Sequence, residues 1–126
     1  MKNWTVIVVE DTYDDMQLAT IILEHDGIEV HVAHDGKQCL QLLQSVQPTL
    51  IVTDLSMPVM DGWQMLNAIR TNPATAQIPV VAVSAYFSSD LEVDARDAGF
   101  NACFAKPVSP RDFVNQLNTI VNPVKP

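Results

Sequence analysis

The stretch that decides the fold is TVIVVED at residues 5–11, where a β-branched run ends in two carboxylates. A short run of this kind is typical of a strand that is covered on both faces. Such strands belong to parallel sheets with helices packed on each side. The stretch therefore predicts an α/β protein with acidic side chains at the carboxyl end of its first strand.

The rest of the chain alternates between strand and helix patterns. Further strands are predicted at residues 28–32, 50–53, 80–83 and 102–105. Helices are predicted at about residues 14–26, 39–46, 61–71, 89–98 and 109–121. This (βα)₅ order predicts one flavodoxin-like domain over residues 1–126, with its core at about 4–122. We expect a five-stranded parallel sheet in the order 2-1-3-4-5, with helices on both faces.

Local signals place several boundaries. Asp61 is a good N-cap for the third helix. Ser89, with Glu92 three residues later, predicts a capping box at the start of the fourth helix. Ser109 followed by Pro110 predicts the start of the fifth helix. In the second strand, apolar residues alternate with polar ones, which predicts one solvent-facing side. The tail from Asn122 onward is expected to fray.

Composition narrows the class of protein. The 126 residues are 48% hydrophobic and carry a net charge of −8, which argues against non-specific nucleic-acid binding. No apolar run is long enough for a membrane span, and Met1–Trp4 does not resemble a signal peptide. Cys39 and Cys103 lack metal-ligand spacing and read as core residues in a reducing compartment. We therefore expect a cytoplasmic protein.

Polar residues follow four of the five predicted strands. They are Glu10-Asp11, Asp54, Ser84 and Lys106. All carboxyl ends of a parallel sheet lie at one edge, where open α/β folds bind ligands. Taken singly, each residue could be an ordinary loop or surface group. Their occurrence at one edge favours a shared site.

These side chains suit phosphoryl chemistry. Three neighbouring carboxylates repel one another, and Mg²⁺ would compensate, since it is commonly held by carboxylates, water and phosphate oxygens. Lys106 supplies a positive charge for a phosphate oxygen, and Ser84 supplies a hydroxyl donor. A carboxylate such as Asp54 can attack a phosphoryl group and form an acyl phosphate.

The chain resembles the receiver domain of two-component response regulators, of the stand-alone chemotaxis-Y type, over nearly all of its length. The resemblance rests on five motifs in order: VVED at 8–11, VTDLSMP at 52–58, MDG at 60–62, VSA at 83–85 and KP at 106–107.

The resemblance implies a role for each matching residue. Asp54 would accept the phosphoryl group. Asp11, Asp54 and the backbone carbonyl of Ser56 would bind Mg²⁺ directly, while Glu10 would act through water. Lys106 would pair with Asp54 or its phosphoryl group. The supporting and switching residues would be Ser84, whose hydroxyl would move toward the phosphoryl group, Ala85, and Pro107 after a cis peptide bond.

One position departs from the family pattern. Many receivers carry an aromatic residue three positions before the lysine, but here that residue is Cys103. Phe104 is adjacent, yet on a strand it should point to the opposite face. The usual hydroxyl–aromatic coupling is therefore in doubt. The loop after Ser84 carries Tyr86 and Phe87, which could contact a partner or simply pack.

The implied function is a phosphorylation-activated switch of a phosphorelay, not a conventional enzyme. Its phosphodonor would be a sensor histidine kinase or a histidine phosphotransfer protein, and an unknown downstream protein would receive the signal. We expect a monomer or weak dimer that binds neither nucleic acid nor membrane. The donor would contact Tyr13, Asp14, Met16 and the Lys106-Pro107 loop. The switch surface would comprise the fourth helix, fifth strand and fifth helix.

Three alternative functions compete with this one. A degenerate receiver could bind proteins independently of phosphate. A phosphatase of the haloacid-dehalogenase type would usually place a second Asp two residues after the nucleophile, where this chain has Ser56. A flavin-binding flavodoxin would need a Ser/Thr/Gly-rich loop after the first strand, where acids stand instead.

Overall fold

The computed structural model describes residues 2–123, in which five strands alternate with five helices. The strands are β1 Thr5–Val9, β2 Glu29–Ala33, β3 Leu50–Asp54, β4 Val80–Ser84 and β5 Ala102–Ala105. The helices are α1 Tyr13–His25, α2 Gly36–Leu42, α3 Gly62–Thr71, α4 Ser89–Ala98 and α5 Phe113–Val121. Met1 and residues 124–126, which the predicted domain and its tail include, lie outside the described residues.

The sheet is parallel and has the order β2-β1-β3-β4-β5, which confirms the predicted flavodoxin-like topology. Val9 of β1 pairs with Thr53 of β3, and Asp54 pairs with Val83 of β4. The carboxyl ends of these strands therefore lie side by side, as the sequence predicted.

Successive residues of β1 face opposite layers of the core. Val6 and Val8 pack in a cluster with buried residues of α1 and α5. Ile7 and Val9 pack in a second cluster with residues of α2, α3 and α4. Burying one such side chain contributes about 1.5–3 kcal/mol. A β-branched run is therefore favoured here because both faces of the strand are covered.

Several predicted boundaries were wrong. The α-helical part of α2 ends at Leu42, and the chain leaves the helix through a turn in which Ser45 N–H donates to Leu42 C=O. The N-cap of α4 is Ser88, not Ser89, because the Ser88 hydroxyl accepts from Leu91 N–H. Helix α5 begins at Phe113, after a turn in which the Ser109 hydroxyl accepts from Asp112 N–H.

The predicted N-cap of α3 was confirmed, whereas the predicted alternation in β2 was not. Asp61 is the N-cap of α3, as predicted, and forms a capping box with Gln64. The alternation predicted for β2 breaks down at Val32, which is 44% exposed. Within the described residues β2 is an edge strand that pairs only with β1, so its apolar face is incompletely covered.

Gly62 allows the start of α3 to approach the end of β3. A Cβ atom at this position would overlap the carbonyl oxygen of Asp54. Gly62 N–H also donates to Leu55 C=O at 3.1 Å. The absence of a side chain at Gly62 therefore fixes how closely α3 packs against the backbone of Asp54.

Replacing Gly62 by alanine should destabilise the protein, because backbone atoms cannot move aside as a flexible side chain can. We expect Gly62→Ala to lower the free energy of unfolding by about 1–3 kcal/mol in urea denaturation. Asn67→Ala, on the exposed side of the same helix, should change it by no more than about 0.5 kcal/mol. Equal effects of the two substitutions would contradict the close approach.

Candidate functional site

Three carboxylates meet at the carboxyl edge of the sheet. Glu10 and Asp11 follow β1, and Asp54 ends β3; one oxygen from each lies within 4.8 Å of the others. Glu10 is buried, Asp54 is partly buried and Asp11 is exposed. The strand order brings these predicted residues together, because β1 and β3 are neighbours.

Lys106 extends into this carboxylate cluster from the end of β5. Its Nζ atom lies 2.7 Å from Glu10 Oε2 and 3.0 Å from Asp54 Oδ2. Its backbone N–H donates to Ser84 C=O at 2.9 Å, and the Lys106-Pro107 peptide bond is cis, as the sequence analysis expected. The ammonium group thus forms ion pairs with two of the three acids.

Asp15 is a third acceptor that the sequence analysis did not place in the site. Its Oδ2 atom lies 2.9 Å from Lys106 Nζ. The sequence does contain a pattern that points to Asp15. It lies three residues before Leu18 and four before Ala19, and this spacing places it on the inward face of α1. Sequence reasoning gave Glu10 and Asp11 roles at the strand end and Asp14 a role on the donor surface, but it gave Asp15 none.

Asp54 is held by its own loop as well as by Lys106. Its Oδ1 atom accepts hydrogen bonds from the backbone N–H groups of Leu55, at 2.6 Å, and Ser56, at 3.3 Å. Its Oδ2 atom accepts from Lys106. One carboxylate oxygen is therefore fixed by the backbone, and the other faces the cationic side of the site.

Ser84 ends β4 at the same edge and is 4% exposed. Its hydroxyl oxygen accepts a hydrogen bond from Tyr86 N–H at 3.0 Å. The next residue, Ala85, is exposed at the start of the loop. Ser84 thus joins the sheet edge that carries the carboxylate cluster to a loop whose Tyr86 side chain is 82% exposed.

Charge and burial shift the proton affinities of the central groups. Burial, together with the negative charge of Asp54, raises the pKa of Glu10 to about 7, against the opposing effect of Lys106. Burial alone would lower the pKa of Lys106, but its contacts with Glu10, Asp15 and Asp54 raise it above the ordinary lysine value. Lys106 is therefore a fixed positive charge at neutral pH.

The model of the family described as "response regulator receiver domain" matches residues 6–118. The chain belongs to this family. The match covers all five strands except Thr5, the first residue of β1, and residues Glu10, Asp54 and Lys106 all lie within it. The receiver therefore carries its acidic cluster and its lysine inside the matched region.

Curated relatives cover almost the whole receiver. An uncharacterized 14.6 kDa protein of Leptolyngbya boryana is 35% identical over 90% of this chain and 87% of its own length. The polar-differentiation response regulator DivK of Brucella anthropi is 28% identical over 91% of this chain and 94% of its own.

Solved structures share the fold. The receiver domain of Francisella response regulator 1452 superposes with a TM-score of 0.87 at 28% identity, covering 98% of this chain and 100% of that one. The receiver domain of a Pseudomonas aeruginosa sensor histidine kinase has a TM-score of 0.86 at 22% identity, covering 95% and 98%. That structure is described with a magnesium ion coordinated in its active-site cleft.

Cys103, which stands where many receivers carry an aromatic residue, and Phe104 lie on opposite faces of β5 in this receiver. Cys103 is buried in the core cluster of α2, α3 and α4. Phe104 points to the opposite layer, as the strand period predicted, and meets Phe113 edge to face with ring centroids 5.8 Å apart. The aromatic ring is thus placed under α5.

The surface predicted for the phosphodonor is only partly available. Tyr13 is 73% exposed and Asp14 is also exposed, whereas Met16 is 7% exposed and packs in the core. The predicted contact at Met16 is wrong, because this side chain lies on the inward face of α1.

Across residues 2–123, no helix has the length and apolarity that crossing a bilayer would require.

The raised pKa of Glu10 makes stability depend on pH. Folded Glu10 keeps its proton up to about pH 7, whereas the unfolded chain releases it near 4.5. In this window the folded state binds more protons, so the stabilisation is complete below the unfolded pKa and is lost as pH rises through the folded pKa.

We expect Glu10→Gln to reduce this loss of stability. Urea denaturation in a chelator, at about pH 5 and about pH 7.5, would compare the pH dependence of the free energy of unfolding. Glu24→Gln, which changes an exposed glutamate of α1, should behave like the wild type. An unchanged pH dependence in Glu10→Gln would argue against the burial of this carboxyl as the cause.

Proposed function

We propose that this receiver accepts a phosphoryl group on Asp54 and acts as a phosphorylation-controlled switch in a two-component or phosphorelay system. The observation that carries the proposal is the setting of the Asp54 carboxylate. One oxygen is held by two backbone N–H groups and the other by Lys106, beside Glu10 and Asp11. This arrangement orients a nucleophile and places positive charge where a phosphoryl group would arrive.

The reaction is a transfer between two nucleophiles. A carboxylate oxygen of Asp54 attacks the phosphorus atom of a phosphohistidine, and a new P–O bond forms as the P–N bond breaks. The electron pair of the broken bond stays on the imidazole nitrogen of the donor. Lys106 offsets the negative charge of the phosphoryl oxygens, and Ser84 offers a hydroxyl donor to one of them.

The acidic cluster fits Mg²⁺. Its donors are carboxylate oxygens, which are hard ligands of the kind that Mg²⁺ prefers. Asp11, Asp54 and the backbone carbonyl of Ser56 would hold the ion directly. Glu10, already paired with Lys106, would act through water. The magnesium ion described for the Pseudomonas receiver supports this assignment. The ion would supply positive charge to the phosphoryl oxygens.

The chain would work as a signalling protein in the cytoplasm, not as a conventional enzyme. Its donor would be a sensor histidine kinase or a histidine phosphotransfer protein, approaching over the exposed Tyr13, Asp14 and the Lys106-Pro107 loop. The output would be a change in binding to a downstream protein, or transfer of the phosphoryl group onward. Monomer or weak dimer remains the expected oligomeric state.

Incubation with Mg²⁺ and acetyl phosphate should add one phosphoryl group to the wild-type chain, detected as an increase in intact mass. Asp54→Asn should lose this labelling, because the amide cannot act as the nucleophile. Asp90→Asn, which changes an exposed acid of α4, should label like the wild type. A folded wild type that is never labelled, even at high acetyl phosphate, would favour the phosphate-independent binding module.

A further inference from the structure

The ammonium group of Lys106 donates hydrogen bonds to Asp15 and Asp54 and also forms an ion pair with Glu10. An ammonium group offers three N–H donors. The oxygens of Glu10, Asp15 and Asp54 lie at 2.7, 2.9 and 3.0 Å from Nζ. The positive charge is therefore shared among three carboxylates before any phosphoryl group is present.

Asp15 differs from the other two acceptors in position and exposure. Glu10 and Asp54 stand at the ends of strands and belong to the carboxylate cluster, whereas Asp15 lies in the first turn of α1. The side chain of Asp15 is 39% exposed, compared with 3% for Glu10 and 13% for Asp54. Asp15 therefore adds negative charge next to Lys106 without contributing to the cluster that fits Mg²⁺.

A phosphoryl group on Asp54 needs the same ammonium group. It brings additional negative charge to the side of Asp54 that faces Lys106, and an oxygen that must accept one of the lysine donors. The carboxylate of Asp15 partly neutralises the positive charge of Lys106, and it also repels a phosphoryl group placed beside it. Both effects act in the same direction and favour the unphosphorylated receiver.

We propose that Asp15 competes with the phosphoryl group for Lys106 and so lowers the occupancy of the phosphorylated state. This inference rests on the proposed phosphorylation of Asp54 and adds a regulatory residue to that site. Asp15 is a positioning residue in this account, because it acts through Lys106 and does not touch the reacting atoms.

A purely helical role for Asp15 is the competing explanation. Acids in the first turn stabilise a helix through its dipole, and α1 has two of them, Asp14 and Asp15. Asp14 is exposed and one residue away, so it shares this benefit, whereas the carboxylate on Lys106 Nζ is that of Asp15. A purely helical role predicts a change in stability when Asp15 is replaced, but no gain in affinity for an anion bound at Asp54.

The test uses the full chain with beryllofluoride, a mimic of an aspartyl phosphate, at saturating Mg²⁺. Isothermal titration calorimetry measures its affinity without the complication of hydrolysis. Asp15→Asn should bind beryllofluoride about fivefold more tightly, or better, since typical couplings between sites begin at this size. Glu24→Gln, which removes an exposed acid of the same helix outside the donor surface, should stay close to the wild type. Asp15→Glu should return toward the wild type by restoring the carboxylate.

A gain in affinity is a result that simple damage to the fold does not produce. Unchanged or weaker binding by Asp15→Asn, in a variant with wild-type circular dichroism, would overturn the inference. A wild type that binds beryllofluoride while Asp15→Asn shows no gain refutes Asp15 as a competitor and leaves the proposed function intact. A wild type that neither binds beryllofluoride nor accepts phosphate at Asp54 refutes both.

Discussion

The ion pairs of Lys106 are the interaction on which the rest of the site depends. Glu10 and Asp54 are brought close together at a partly buried sheet edge, where like charges repel strongly and desolvation adds to the cost. One ammonium group within 3.0 Å of both acids offsets that repulsion. An uncompensated set of buried charges would be strongly destabilising.

The fold supplies this arrangement through topology. Parallel strands in the order β2-β1-β3-β4-β5 put the ends of β1 and β3 side by side and bring β5 close enough for Lys106 to reach both. Gly62 then lets α3 pack against the backbone of Asp54. The same buried strands that form the core therefore determine the distances in the site.

The sequence carried most of this information, for identifiable physical reasons. Buried parallel strands need β-branched residues, and polar residues directly after them had to meet at one edge. Two features could not be predicted: which of two neighbouring serines caps α4, and which distant side chain Asp15 contacts. Ser88 and Ser89 are adjacent and both able to cap, so sequence alone did not separate them. Asp15 could be placed on the inward face of α1, but its contact with Lys106 depends on a lysine 91 residues away.

Cys103 stands where many receivers carry an aromatic residue, and this departure would alter the route of switching. Phe104 is packed against Phe113, on the other side of the sheet from Cys103. Ser84 instead contacts the backbone of Tyr86, whose side chain is exposed. If Asp54 is phosphorylated as proposed, the loop after Ser84 would be the route by which the signal leaves the site.

Thermal unfolding of Lys106→Met, with and without Mg²⁺, tests the central role of this lysine most directly. The variant should unfold at a lower temperature than the wild type in a chelator, because its carboxylates lose their counter-charge. Mg²⁺ should raise its unfolding temperature more than that of the wild type, since a cation bound to the folded state stabilises it in proportion to its affinity. Equal unfolding temperatures in the chelator, with equal responses to Mg²⁺, would contradict the account.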